Sequence, residues 1–361
     1  MIMINRELIR LKVVQLVYAF YQNDGKTLDV AEKELKFSLS KAYELYKYLL
    51  SMLVDLKAYG ERRAESSAAR AERLGTKIGG LSPDRQFADN KFLVQLADNK
   101  ALGEYREKKQ EWPEEPAFVK KLYTTMIESE LYQNYLTKED FSYEADRELI
   151  RKLYKTYVCN NEDFDSLLEE HSLYWNDDKE IVDTFVIKTI KRFDPVNKAD
   201  QELLPEFKDE EDRDFAVKLF RSTILNADTY QRYMSETSRN WDFSRLAYMD
   251  VVVMQIAIAE MLTFPNIPVS VTINEYVELA KLYSTPRSGG YINGMLDAIA
   301  RYLIDTGKMF KQMPERRQPR NNNERSNRNN NYSRNEANLQ NDYPEGNVPQ
   351  DGLEGNTNEE F

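Results

Sequence analysis

Cysteine and histidine each occur once in this 361-residue chain, as Cys159 and His171. One cysteine excludes an internal disulfide and fits a reducing, cytoplasmic compartment. The lone His and Cys fall in neighbouring stretches without ligand spacing, so neither a metal site nor a Cys–His nucleophile pair is expected. Glycine is scarce at 13 residues while charged residues make up 31%, which favours helices over turn-rich β structure. Long apolar runs are also missing. The longest, VVVMQIAIAEML (251–262), is too short to span a bilayer and carries Gln255 and Glu260. The opening MIMINRELIRLK interrupts its apolar run with charge and lacks the form of a secretory signal. No glycine-rich loop follows a strand, so nucleotide-binding fingerprints are absent. Neither a cofactor, a metal, a membrane partner nor catalysis is expected.

What remains is amphipathic helix. Ile9, Val13, Leu16, Val17 and Phe20 follow helical spacing over 5–23, and a second helix covers about 28–58 with Leu35, Leu39, Leu45, Leu49, Leu53 and Leu56 inward. Residues 60–84 are small, polar and charged, and read as a solvated helix end running into a loop. A helical block rich in Tyr, Phe and acid follows over 87–205. Within it FVKKLYTTMIESELYQNYL (118–136) echoes FAVKLFRSTILNADTYQRYM (215–234). A repeat and the shared patterning of amphipathic helices account for that echo equally well. From 240 the spacing predicts an apolar helix stopped by Pro265 and Pro268, then a helix begun by a Thr272–Glu275 capping box. A last helix is predicted from a Thr285 cap with Pro286 at its first position, ending near Thr306 with Gly307 beyond. The tail from 312 is Asn-rich and too polar to fold.

The net charge is −11, yet segments 1–59 and 240–311 are together near neutral, and the acid sits in the middle and the tail. Two places could therefore meet a nucleic-acid backbone. Arg6 and Arg10 lie one turn apart on a stripe that continues into Val13 and Val17. They are either free cations overhanging the bundle or stems that cover the core's end. Lys12 falls on a different, solvent-side stripe. The second place is YSTPRSGGYINGMLD (283–297), where a helix start exposes N–H groups and the positive dipole end. Arg287 and Ser288 would add charge and a hydroxyl there, and Tyr291 a face for an unpaired base, unless that tyrosine packs inward.

The stretches RLAYMDVVVMQIAIAEML, IPVSVTINEYVELAKLYS and SGGYINGMLDAIAR resemble the C-terminal half of the NusB family of transcription antitermination factors. Ile267, Pro268, Asn274, Glu275, Glu278, Leu279, Ala280 and Lys281 fit its I-P-x-x-V-x-I-N-E motif and the helix that follows. Ser288, Tyr291, Asn293, Gly294 and Asp297 fit its S-x-x-[FY]-[IV]-N-G-x-L-D motif. RELIRLKVVQLVYAF is similar to the family's first helix through Arg6, Arg10, Val14, Gln15 and Tyr18, and 215–234 is similar to its third. The resemblance implies an all-α fold, a NusB-like pair of packed helical bundles. The N-terminal bundle would comprise residues 1–59 and 206–239, enlarged by an acidic helical insertion at 60–205. The C-terminal bundle would be 240–311, followed by a disordered tail, 312–361.

The resemblance further implies a non-enzymatic factor that binds the boxA element of ribosomal RNA with NusE, a small-subunit ribosomal protein, within the transcription elongation complex. RNA contacts would come from Arg6, Arg10, Tyr18, Ser288 and Tyr291. Arg287 stands where the family has acid and would return positive charge that Leu8 and Ile9 withhold. The rival reading is a protein-interaction scaffold on the same fold, supported by the sparse arginines and the acidic insertion. A link to RNA cytosine methyltransferases would need a βαβ cofactor domain that this chain does not show.

Overall fold

The computed structural model describes residues 2–23, 26–75, 82–108, 116–138, 141–238, 246–285 and 287–313. Among them every regular element is helical. Helix α1 (Arg6–Gln22) starts where the Asn5 side chain accepts from the Leu8 amide at 3.0 Å. Its residues Leu8 to Val14 are all buried, so it has no solvent face over that length. Helix α2 (Leu28–Arg73) follows and, at 46 residues, extends about 69 Å. It runs through residue 60 without a break. Its first half packs on α1, and its second half carries the helices that come next.

Those are α3 (Pro83–Ala88), α4 (Lys91–Ala97), α5 (Lys100–Lys108), α6 (Pro116–Glu128), α7 (Glu130–Leu136), α8 (Tyr143–Tyr157), α9 (Glu162–His171) and α10 (Lys179–Arg192). The block's richness in Tyr and acid has a packing reason. Buried phenols donate to buried carboxylates, Tyr123 to Asp84 at 2.8 Å, Tyr154 to Asp183 at 2.5 Å, and Tyr135 to Asp146. Each bond satisfies a group that would otherwise be costly to bury. The block then docks on the first two helices: the Trp175 indole donates to the Lys41 carbonyl at 2.9 Å, and Tyr46 meets Thr189 at 2.7 Å.

That docking overturns the solvent-side placement of Lys12. Its ammonium is 2% exposed and pairs with Asp178 at 2.6 Å, because the segment before α10 closes over α1.

Helix α11 (Glu210–Leu225) returns the chain to α1, α12 (Ala227–Thr237) packs on the last helices, and those, α13 (Tyr248–Thr263), α14 (Val269–Tyr283) and α15 (Ser288–Asp305), pack together. Helix α13 is buried from Val252 to Met261. Residues 241–245 of the predicted apolar helix, Pro286 and the tail from 314 lie outside the described residues. Gly307 closes α15 with φ +69°, as its position past the helix end requires. Two helix starts differ from expectation. Helix α14 begins at Val269 after Pro268, placing Thr272 inside the helix, where its hydroxyl serves a buried carboxylate instead of a cap. Helix α15 begins at Ser288, and the Thr285 hydroxyl meets the Ser288 hydroxyl at 2.8 Å instead of capping.

Candidate nucleic-acid interface

Arg10 is the first candidate to fall out of solvent. Its guanidinium is 4% exposed and grips Glu260 with two bonds, Nε at 2.7 Å and a terminal nitrogen at 3.0 Å, while the other reaches Glu275 at 3.1 Å. Thr272 and Tyr276 also donate to Glu260, at 2.9 and 3.1 Å. Burial acts to lower the Arg10 pKa, but the bond to Glu260 and the surrounding negative charge outweigh it and raise it. The free-cation reading of Arg10 therefore gives way to a knot joining α1, α13 and α14. Its cause is Glu260, a fully buried acid in a largely apolar helix, which needs a partner.

Arg6, one turn earlier, is held loosely. It lies 3.4 Å from Asp212 and 3.5 Å from Glu211 at the start of α11, with its side chain 38% exposed and over the Phe215 ring. The pair with Glu211, whose side chain is 79% exposed, contributes little, ~0–1 kcal/mol, whereas Asp212 is buried and holds Arg6 more firmly.

At the start of α15 the groups separate into internal and outward sets. Ser288 is 4% exposed and donates to Asp250 at 3.0 Å; Ser284 donates to the other oxygen of Asp250 at 2.6 Å. The Asp250 carboxylate thus already sits by the N-terminal turn of α15, where it answers the helix dipole that was expected to attract a phosphate. Gly289 lies against α14, a Cβ there coming within 3.4 Å of Lys281, whereas Gly290 faces open space. Arg287 is exposed, and Tyr291 is half-buried with its phenol pKa raised by burial and by Asp250.

Tyr18 is 38% exposed and sets its ring edge-on to Tyr248, itself 46% exposed, at 5.8 Å between centroids. Tyr248 opens α13 two residues before Asp250, so this pair belongs to the same end of the molecule as the α15 start. Tyr248 is not among the residues that the sequence pattern singled out. Its signal was present, an aromatic at the polar start of an apolar helix, but nothing in the spacing tied it to Tyr18.

A second feature flanks α1. A groove of about 900 Å³ runs between α1, α10 and α14, lined by Glu7, Asp177, Glu180, Glu275 and Glu278 over an apolar floor. Among the described residues no group of His, Cys, Asp or Glu is placed to hold a metal ion, and no helix is long and apolar enough to cross a membrane.

Residues 184–301 match the sequence profile described as the NusB family. The match begins within α10, so residues 184–205 of the segment read as an insertion lie inside it, and α1 lies outside. The chain is 38% identical over 108 residues to a transcription antitermination protein NusB of Salinibacter ruber, covering 30% of this chain and 68% of that protein. It is 36% identical over 122 residues to one from Chloroherpeton thalassium, covering 33% and 58%. To one from Dictyoglomus turgidum it is 40% identical over 95 residues, covering 26% and 66%. No solved structure matches.

Proposed function

This chain belongs to the NusB family, and on that premise we propose that it is a cytoplasmic, non-enzymatic transcription antitermination factor. It binds boxA-containing ribosomal RNA together with NusE as part of the transcription elongation complex. The observation that carries the reading is the cluster of outward groups at one end of the molecule: the exposed Tyr18–Tyr248 pair with exposed Arg287 and half-buried Tyr291 nearby in the fold. Aromatic faces and a few cations are what an unpaired strand requires, since bases stack on rings and phosphates take the charge. Arg6 supplies a second cation, exchanging its exposed Glu211 partner for phosphate while keeping Asp212. Arg10 and Ser288 act from inside, fixing α1 on α13 and α14 and the α15 start on α13.

With only Arg6 and Arg287 on phosphates, the logarithm of affinity should fall with that of salt at a slope near −1.4, about 0.7 per contact on a single strand. The test is equilibrium binding of a boxA-containing ribosomal leader RNA against a scrambled sequence, with and without NusE. Selective binding that NusE strengthens supports the proposal. One observation favours the alternative, a protein-interaction scaffold with little specific RNA binding: the acidic groove runs along α1, where it repels phosphate. NusE binding without preference for boxA would select that reading.

A further inference from the structure

We propose that the groove between α1, α10 and α14 docks a basic amphipathic helix of a partner protein. Its shape comes first. Glu275, Glu278, Leu279 and Leu282 recur at the i, i+3, i+4, i+7 spacing of one helix face, so the α14 wall is a ridge about 10 Å long. The opposite wall runs from Glu180 to Lys188 on α10, about 12 Å. Two ridges of that length bordering one trough of about 900 Å³ leave room for one face of a helix over about two turns.

Chemistry decides which helix. Leu11 and Leu279 form a floor that is 5% and 8% exposed, while Leu282 at the mouth is 57% exposed, an apolar group left in water. Around this floor the charge is one-sided. Glu275 is answered by Arg10 and Glu278 by Lys281, but Glu7 and Glu180 are exposed and in no ion pair among the described residues. Lys188 is the one basic side chain in the described lining. An apolar stripe flanked by Lys or Arg satisfies both features at once, whereas a nucleic acid would bring phosphates against carboxylates. The α10 wall belongs to the docked helical block, so the site exists only where that block closes on α1.

The test uses the full chain and a labelled peptide of about 14 residues with Leu at the i, i+3, i+4, i+7 positions of one helix face and Lys flanking them, with fluorescence anisotropy at about 0.15 M salt. The same peptide with every Lys replaced by Gln is the control ligand. Binding of the Lys peptide should weaken about tenfold in the double variant Glu7→Gln, Glu180→Gln and at least as much in Leu282→Asn. It should change less than about twofold in Glu169→Gln, Glu170→Gln, an exposed acidic pair on α9. Equal loss in the α9 variant, or equal binding of the Gln peptide, would overturn the proposal as non-specific attraction to an acidic protein. Self-association in sedimentation that the groove substitutions abolish would give the groove to a second copy and overturn it as well.

Discussion

Arg10, Lys12 and Asp178 are ionised groups withdrawn from water, and each is tolerable only because of a named partner. Removing one half of such a pair strands the other, at a cost of about 3–5 kcal/mol. Arg10→Ala should therefore lower stability by about that amount in urea denaturation, because Glu260 would keep only Thr272 and Tyr276. Loss of RNA binding in that variant should track loss of fold. The same folded fraction with RNA binding abolished would instead make Arg10 a direct contact. Asp178 presents the opposite balance: burial outweighs the Lys12 charge and its carboxyl is pushed up to about 6. A carboxyl whose pKa is raised on folding binds its proton more tightly in the native state, so its contribution to stability is greatest below about pH 4 and declines as pH rises to about 6. Stability measured by urea midpoints should lose that part of its pH slope in Asp178→Asn, and an unchanged slope would refute the assignment.

Helices α6 and α7 break at Ser129, and α11 and α12 at Asn226, positions that coincide when the two echoing segments are aligned on Phe118 and Phe215. Burial also coincides, Leu122 with Leu219 and Tyr123 with Phe220, so the echo extends from sequence pattern to the position of the helix break and the buried face. The α2 spine depends on one such ring. A Cβ at Gly60 would lie 2.8 Å from the Tyr123 hydroxyl, and Tyr123 is itself fully buried and bonded to Asp84. Gly60→Ala gains about 1 kcal/mol of helix propensity but forces this contact apart, at about 1–3 kcal/mol. Calorimetry should show a lower melting temperature; a higher one would mean that the ring yields freely.

Helix content and the last helix's end were legible because apolar spacing and Gly307 report local requirements. The starts of α14 and α15 were not. Thr272, Thr285 and Ser288 have capping chemistry, and only the fold reveals that Glu260 and Asp250 claim two of those hydroxyls. Lys12 was misjudged for the same reason, since no local pattern announces a covering segment more than 150 residues away.

The acidic block, docked across α1 and α2, makes the molecule two-sided. One side of α1 faces a groove lined by carboxylates, and the end bearing Tyr18, Tyr248 and Arg287 presents exposed aromatics and a cation, where we propose that the RNA strand lies. The family resemblance was readable from motifs in the C-terminal half, but this division was not, because it arises from helices distant in sequence. Its most direct test is photo-crosslinking of 4-thiouridine-substituted boxA RNA to the full chain with NusE present, followed by identification of the crosslinked peptides. The account predicts crosslinks at Tyr18, Tyr248 or Tyr291 and none along α10. Crosslinks confined to α10 and the groove, or equal labelling by a scrambled RNA, would contradict it.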